Sequence, residues 1–241
     1  MPSSHWYQLN EIVELIVMTQ PQSILDVGVG FGKYGFLCRE YLELLDGRQK
    51  LHDWRRVIDG IEIFPKYITP LQKKLYTHIY IGNALDILPT LEKRYDLILL
   101  IDIIEHFDYE DGEKLLELCR ERGKNIIIST PKINMPQSET FGNPYEAHKS
   151  FYKKRHFKKF PDKIFIPNPF SLIVYMGENA KSVKKGLWRR RLILTIPSHL
   201  GLLSLSKRAL MHEMKRLLAT GSGKNRVQHA ESPKQHFTRG E

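Results

Sequence analysis

Ser23-Ile24-Leu25-Asp26-Val27-Gly28-Val29-Gly30-Phe31-Gly32-Lys33-Tyr34-Gly35 decides how this chain is read. A short apolar run closes on an acid, and glycine then fills every second position. A buried parallel strand breaks in this way into a tight loop that opens a helix. Glycine supplies the φ > 0 turn and lets the backbone come close to a ligand. The carboxylate of Asp26 at the strand tip would repel a pyrophosphate, and it suits a ligand carrying an ammonium group.

Working outward, strand and helix signals alternate through the first 175 residues or so, as a parallel sheet with covering helices requires. Gln8–Thr19 carries Leu9, Ile12, Val13, Ile16 and Val17 at helical spacing. Ser23–Val27 is the first strand and Lys33–Leu45 the first helix after it. The polar stretch 46–55 reads as an enlarged loop. Val57–Ile63, His78–Ile81, Tyr95–Ile101 and Asn125–Ser129 read as further strands, and the continuous apolar run 95–101 suits a central one. Lys66–Leu75, Glu110–Glu121 and Phe151–Phe160 read as helices. Lys163–Ile166 and Leu172–Met176 form a closing hairpin. The fold class is α/β, a doubly wound, mostly parallel seven-stranded sheet with helices on both faces and a basic helical extension at the C-terminus.

Gly30-Phe31-Gly32-Lys33-Tyr34-Gly35 matches the dinucleotide pattern G-x-G-x-x-G, but there the first glycine should follow the strand directly. Here Asp26 and Gly28 come earlier. The run Asp26-x-Gly28-x-Gly30-x-Gly32 resembles motif I of the class I S-adenosylmethionine-dependent methyltransferases, over residues 6–178. That resemblance implies the seven-stranded sheet with an antiparallel last strand, S-adenosylmethionine as cofactor, and transfer of a methyl group by direct in-line displacement with no metal.

The later strand ends are read against this likeness. Glu62, closing the second strand, would accept hydrogen bonds from ribose hydroxyls, with Asp59 set too early in the strand to do so. Gly82-Asn83-Ala84-Leu85-Asp86 follows the third strand. Asn83 and Ala84 match the family positions that bracket the adenine, with Asp86 a competitor; either acid or amide could instead cap a helix. Asp102-Ile103-Ile104-Glu105-His106 resembles motif IV of small-molecule methyltransferases. Asp102 would line the pocket beside the methionine moiety. His106 would take a proton from a substrate hydroxyl, or Glu105 and His106 shape the loop. After the fifth strand, Tyr145 and His148 are candidates for the acceptor pocket, behind a polar loop at 133–141 that reads as a lid or specificity loop.

Two signatures are decoys. Asn143-Pro144-Tyr145 stands after the fifth strand, where the amine-methylating Asn-Pro-Pro-Tyr signature does not belong, and it lacks one proline. Cys38 and Cys119 fall within helices with no metal or redox spacing, so they read as small buried hydrophobes in a reducing compartment.

Charge is unevenly placed. Residues 1–150 hold 17 Lys and Arg against 22 Asp and Glu, whereas residues 151–241 hold 20 against 5. The +10 of the chain is therefore carried by its C-terminal part, which points to an anionic partner or to a solvated tail. The organisation expected is an N-terminal helix (1–20), a cofactor-binding domain (21–178), a basic amphipathic extension (179–219) and a disordered tail (220–241). Lys181–Arg191 with Trp188, the apolar 192–205, and Lys207–Leu218 suit an anionic membrane surface, or a helical pair packed on the domain or in a homodimer. RNA is a third partner, disfavoured because aromatic residues are not interleaved with the basic ones. No signal peptide and no apolar run of the ~20 residues that span a bilayer are visible, so the chain is expected to be cytoplasmic or peripheral at the inner face of the membrane. The acceptor is expected to be a small molecule, a glycan or a lipid-linked precursor. The alternatives are RNA, or a non-catalytic, cofactor-binding, membrane-associated role.

Overall fold

The computed structural model describes residues 4–199, the last nine of these by backbone alone. Seven strands form one sheet in the order β3-β2-β1-β4-β5-β7-β6. They are β1 (Ser23–Val27), β2 (Val57–Glu62), β3 (His78–Ile81), β4 (Tyr95–Ile101), β5 (Gly123–Pro131), β6 (Lys163–Ile166) and β7 (Ser171–Gly177). The first five run parallel, and β7 enters antiparallel between β5 and β6. Chain order reverses between β1 and β4, so the sheet has its topological switch point there. Open α/β sheets bind ligands beyond the carboxyl ends of the strands at such a point.

Period-two alternation explains why both faces are dry. Along β4, Leu97, Leu99 and Ile101 face one layer, while Ile98 and Leu100 face the other. The first layer is covered by α1 (Leu9–Thr19), α2 (Lys33–Arg39), α3 (Pro70–Leu75) and the start of α6 (Ala180–His199), through Ile12, Ile16, Cys38, Leu75, Ala180 and Val183. The second is covered by α4 (Ala84–Thr90) and α5 (Tyr109–Arg122), through Leu85, Leu88, Leu115, Leu116 and Cys119. Both cysteines are buried within helices, as expected.

Several expectations need correction. The helix from Lys33 keeps α geometry only to Arg39 and widens to a π turn at Glu40–Leu44. There the buried Glu43 carboxylate accepts from the amides of Arg55 and Arg56 and pairs with the guanidinium groups of Arg39, Arg48 and Arg56. The polar 46–55 insertion is thus tied down from within. Lys66–Leu75 is two elements: a 3-10 turn at Pro65–Tyr67, and α3 with Pro70 as its first residue behind a Thr69–Gln72 capping box. Phe151–Phe160 holds only a short 3-10 turn, Lys154–Phe157, because Tyr152, Phe157 and Phe160 all bury themselves in the second layer. Helix α4, which the sequence signals only through the capping alternative at Asn83 and Asp86, starts behind Asn83.

At the C-terminus, one helix joins Lys181–Arg191 to the first part of the apolar stretch. Its first turns pack on this chain's own α1: Gly186 lies against Met18, and Arg190 pairs with Glu14 at 2.7 Å. Trp188 is exposed. The amphipathic 207–218 segment and the 220–241 tail lie outside the described residues. Among the described residues, no helix is long and apolar enough to cross a membrane.

Candidate functional site

The loop after β1 turns through φ 84°, 49° and 86° at Gly28, Gly30 and Gly32. Gly28 is doubly constrained, since a Cβ there would lie 2.0 Å from Ile103 Cδ1. The amides of Gly28 and Val29 both donate to the Ile61 carbonyl, at 2.8 and 3.2 Å. The Gly30 amide donates to Glu62 Oε2 at 2.9 Å, and the Gly30 carbonyl accepts from Gln72 Nε2 at 2.9 Å. Strand β2 and helix α3 therefore hold the loop in shape.

Asp26 is buried, one layer beneath that loop. Its side chain leaves β1 on the same face as Ile24, toward α2, and Oδ2 accepts from the Tyr76 hydroxyl at 2.5 Å. Burial lifts its carboxyl to about 7; the Tyr76 hydrogen bond opposes this and the Glu62 charge adds to it. The same Tyr76 oxygen accepts from the Gly35 amide at 3.1 Å. Glu62 is also buried, and its Oε1 accepts from the Phe64 amide at 2.8 Å. Burial raises its carboxyl, against the pull of the Gly30 and Phe64 amides. Asp59 lies deeper in the strand and takes the Tyr95 hydroxyl at 2.7 Å, away from the strand tips.

At the end of β3, the Gly82 amide donates to the Glu62 carbonyl at 2.9 Å, which sets the next residues beside Glu62. Asn83 Oδ1 accepts from the Leu85 amide and caps α4, so the helix-cap alternative describes this side chain. Ala84 is buried behind it, and Asp86 is exposed in the first turn.

Asp102 follows β4 with φ 54°, an unusual value for a residue other than glycine. Its Oδ1 accepts from Ser129 Oγ at 3.0 Å; Oδ2 accepts from Gln8 Nε2 at 2.6 Å and the His5 amide at 3.3 Å. The Lys33 ammonium donates to the Ser4 carbonyl and hydroxyl. The segment before α1 is thereby laid across the tips of β1 and β4.

Beyond Asp102, a 3-10 turn (Ile104–His106) presents Glu105 and His106. The Glu105 carbonyl accepts from the amides of Lys149 and Ser150, at 2.8 and 3.1 Å, which brings His148 alongside. The His106 and His148 rings stand 5.0 Å apart, edge to face. Burial lowers the His106 pKa, favouring its neutral form. The Glu105 carboxyl is buried with neither oxygen in a well-formed hydrogen bond, and burial and the Asp102 charge push it well up, against the weaker pull of its own amide and the Thr130 hydroxyl. Tyr145 does not join this group. Half-exposed on its own 3-10 turn, its hydroxyl makes no hydrogen bond among the described residues. The segment 137–148 is anchored at its far side, where Glu146 Oε1 accepts from the Tyr67 hydroxyl and Asn143 Nδ2, both at 3.1 Å.

Tyr76, Gln72, Gln8 and Ser129 escaped the sequence reading. Each acts at a distance of tens of residues, and none sits in a motif whose spacing would betray it.

With sheet order and strand-end geometry in place, comparison with solved structures is decisive for the fold. The N-terminal domain of EvdMO1, determined with SAH and D-fucose present, superposes with a TM-score of 0.51 at 14% identity, over 73% of this chain and 84% of that one. The chain has the class I methyltransferase fold. Other neighbours include a SAM-dependent methyltransferase from Archaeoglobus fulgidus (22% identity, 68% and 79% of the two chains, TM-score 0.45). Another is an O-methyltransferase family protein from Burkholderia thailandensis (13% identity, 71% and 57%, TM-score 0.48). This chain spans little more than half of the longer neighbours, 54% and 57% of two of them. No family model matches the sequence, and no curated protein matches it.

Proposed function

We propose that this chain is an S-adenosylmethionine-dependent methyltransferase acting on an oxygen or nitrogen of a small molecule, a glycan or a lipid-linked precursor. The observation that carries the reading is the convergence, beyond the carboxyl ends of the strands, of the glycine loop after β1 with Glu62 at the end of β2 and Asp102 after β4. The residues suit the cofactor. Each Glu62 oxygen accepts one backbone N–H and keeps a lone pair for a ribose hydroxyl, since a carboxylate offers about four acceptor sites. Gly28, Gly30 and Gly32 let the loop approach the ligand, and Ala84 with Asn83 borders the adenine end. Asp26 acts through the loop it supports and by its charge on the cofactor's ammonium group. The cofactor supplies an already activated methyl group, so alignment of the acceptor does much of the rest.

His106 or His148 receives the acceptor proton, and Tyr145 lines the entrance. Neutral His106 is in the form a base requires. The sugar present with EvdMO1 makes hexoses a natural first acceptor to try. The basic residues beyond 150 support a second reading, RNA as acceptor or an anionic membrane as docking surface.

Incubation of the full chain with methyl-labelled S-adenosylmethionine and separate sugar, lipid and RNA pools tests the acceptor class. Label in the sugar or lipid pool is expected. Label confined to RNA would replace the acceptor, and cofactor binding with label nowhere would leave a non-catalytic protein.

A further inference from the structure

We propose that Glu105, His106 and His148 hold a divalent transition-metal ion, a departure from the metal-free transfer expected at the outset. One ligand atom from each of the three lies within 4.8 Å of the others. Three donors bonded tetrahedrally to one ion at roughly 2.1 Å stand about 3.4 Å apart. An inward shift of up to about 0.8 Å per side chain, within the reach of small rotamer adjustments, closes the set.

Two independent features prepare these groups for an ion. The first is the ring orientation. His106 Nδ1 lies 3.2 Å from the Ala147 carbonyl and His148 Nδ1 lies 2.6 Å from the Met135 carbonyl. A carbonyl only accepts, so each Nδ1 carries the proton and each Nε2 presents a lone pair. Backbone carbonyls fix metal-binding imidazoles in this manner. The second is Glu105, whose side chain is buried with neither oxygen in a well-formed hydrogen bond. A buried carboxylate without a hydrogen bond is costly to keep, and a cation alongside removes that cost.

Two imidazoles and one carboxylate favour zinc, iron, cobalt or nickel over magnesium or calcium, which prefer oxygen donors throughout. Three protein ligands would leave coordination positions open to a hydroxyl of an incoming molecule, and the ion would acidify that hydroxyl in place of the proton transfer to His106 or His148, whose lone pairs it would hold. The cluster lies beside the tip of β4, so the ion would stand at the edge of the cofactor region rather than within it.

Chelator-stripped full-length protein titrated with Co2+, and separately with Zn2+ and Mg2+, tests the site without any methyl transfer. One tight site for Co2+ and Zn2+ is expected, with the visible absorption of nitrogen-ligated cobalt, and Mg2+ should bind at least 100-fold more weakly. His148→Ala and His106→Ala should each weaken Co2+ binding at least 100-fold. His148 is on a half-buried loop, so its variant should keep the melting temperature of the parent, and Glu105→Gln serves as a third variant. Co2+ binding that survives His148→Ala in folded protein, or no binding below millimolar concentrations, would overturn the proposal. Because the titration needs no cofactor, its outcome is separate from that of the methyltransferase reading.

Discussion

Tyr76 stands between a carboxylate and an amide, donating to Asp26 and accepting from Gly35, with its ring where a side chain on Gly35 would have to go. Tyr76→Phe strands both partners in a buried place. Such a loss costs about 1–3 kcal/mol, measurable by urea unfolding. Asp26 adds a pH dependence of known sign. Its carboxyl titrates near 7 in the fold against 3.8 ordinarily, so between those values the folded chain holds a proton that the unfolded chain has released. The contribution to stability is full below pH 3.8 and is lost as pH rises through about 7. From pH 6 to pH 8 the parent should lose about 1 kcal/mol more stability than Asp26→Asn. Equal slopes for the two proteins would refute the assignment. At Gly28, substitution by Ala meets both Ile103 and a positive φ. Gly28→Ala/Ile103→Ala should recover only the packing part, leaving a backbone cost of about 1 kcal/mol.

At the scale of elements, α3 is a short helix with an unusual duty, since its Gln72 side chain holds the Gly30 carbonyl. Thr69→Ala removes the side-chain cap of this helix and should cost about 1 kcal/mol in stability, while also loosening the glycine loop. The loss should appear in denaturant unfolding and as faster amide exchange at Gly30 and Gly32. The core strands were legible because burial on both faces writes a continuous apolar run, and β1 and β4 match their expected limits. The elements that were misread are those decided by partners far along the chain. Phe151–Phe160 has helical composition, but its aromatic residues are claimed by the sheet's second layer. Helix α4 is short and contains Pro89, so no periodicity announces it. The site divides in the same way. The glycines and the acids at strand ends are written in local motifs. The pairing of Glu105 with His148 depends on the Glu105 carbonyl catching the amides of Lys149 and Ser150, which no spacing encodes.

Across the whole molecule, the sheet supplies a rigid floor and its carboxyl-end loops supply the chemistry, fenced by the segment before α1 on one side and by residues 137–148 on another. The 46–55 insertion is fastened to that floor through Glu43, buried among three arginines. Glu43→Ala leaves Arg56 buried without its carboxylate and should cost about 3–5 kcal/mol, enough to threaten folding at 37 °C. A chain of this fold could in principle carry either a dinucleotide or a sulfonium cofactor, and the early glycine at 28 and the acids at 62 and 102 favour the second. Calorimetric titration of the full chain with S-adenosylmethionine, and in parallel with NAD, measures that choice directly. Saturable one-site binding of S-adenosylmethionine, weakened at least tenfold in Gly28→Ala, with no heat from NAD, is the predicted result. Preferential binding of NAD, or S-adenosylmethionine binding indifferent to Gly28, would contradict it.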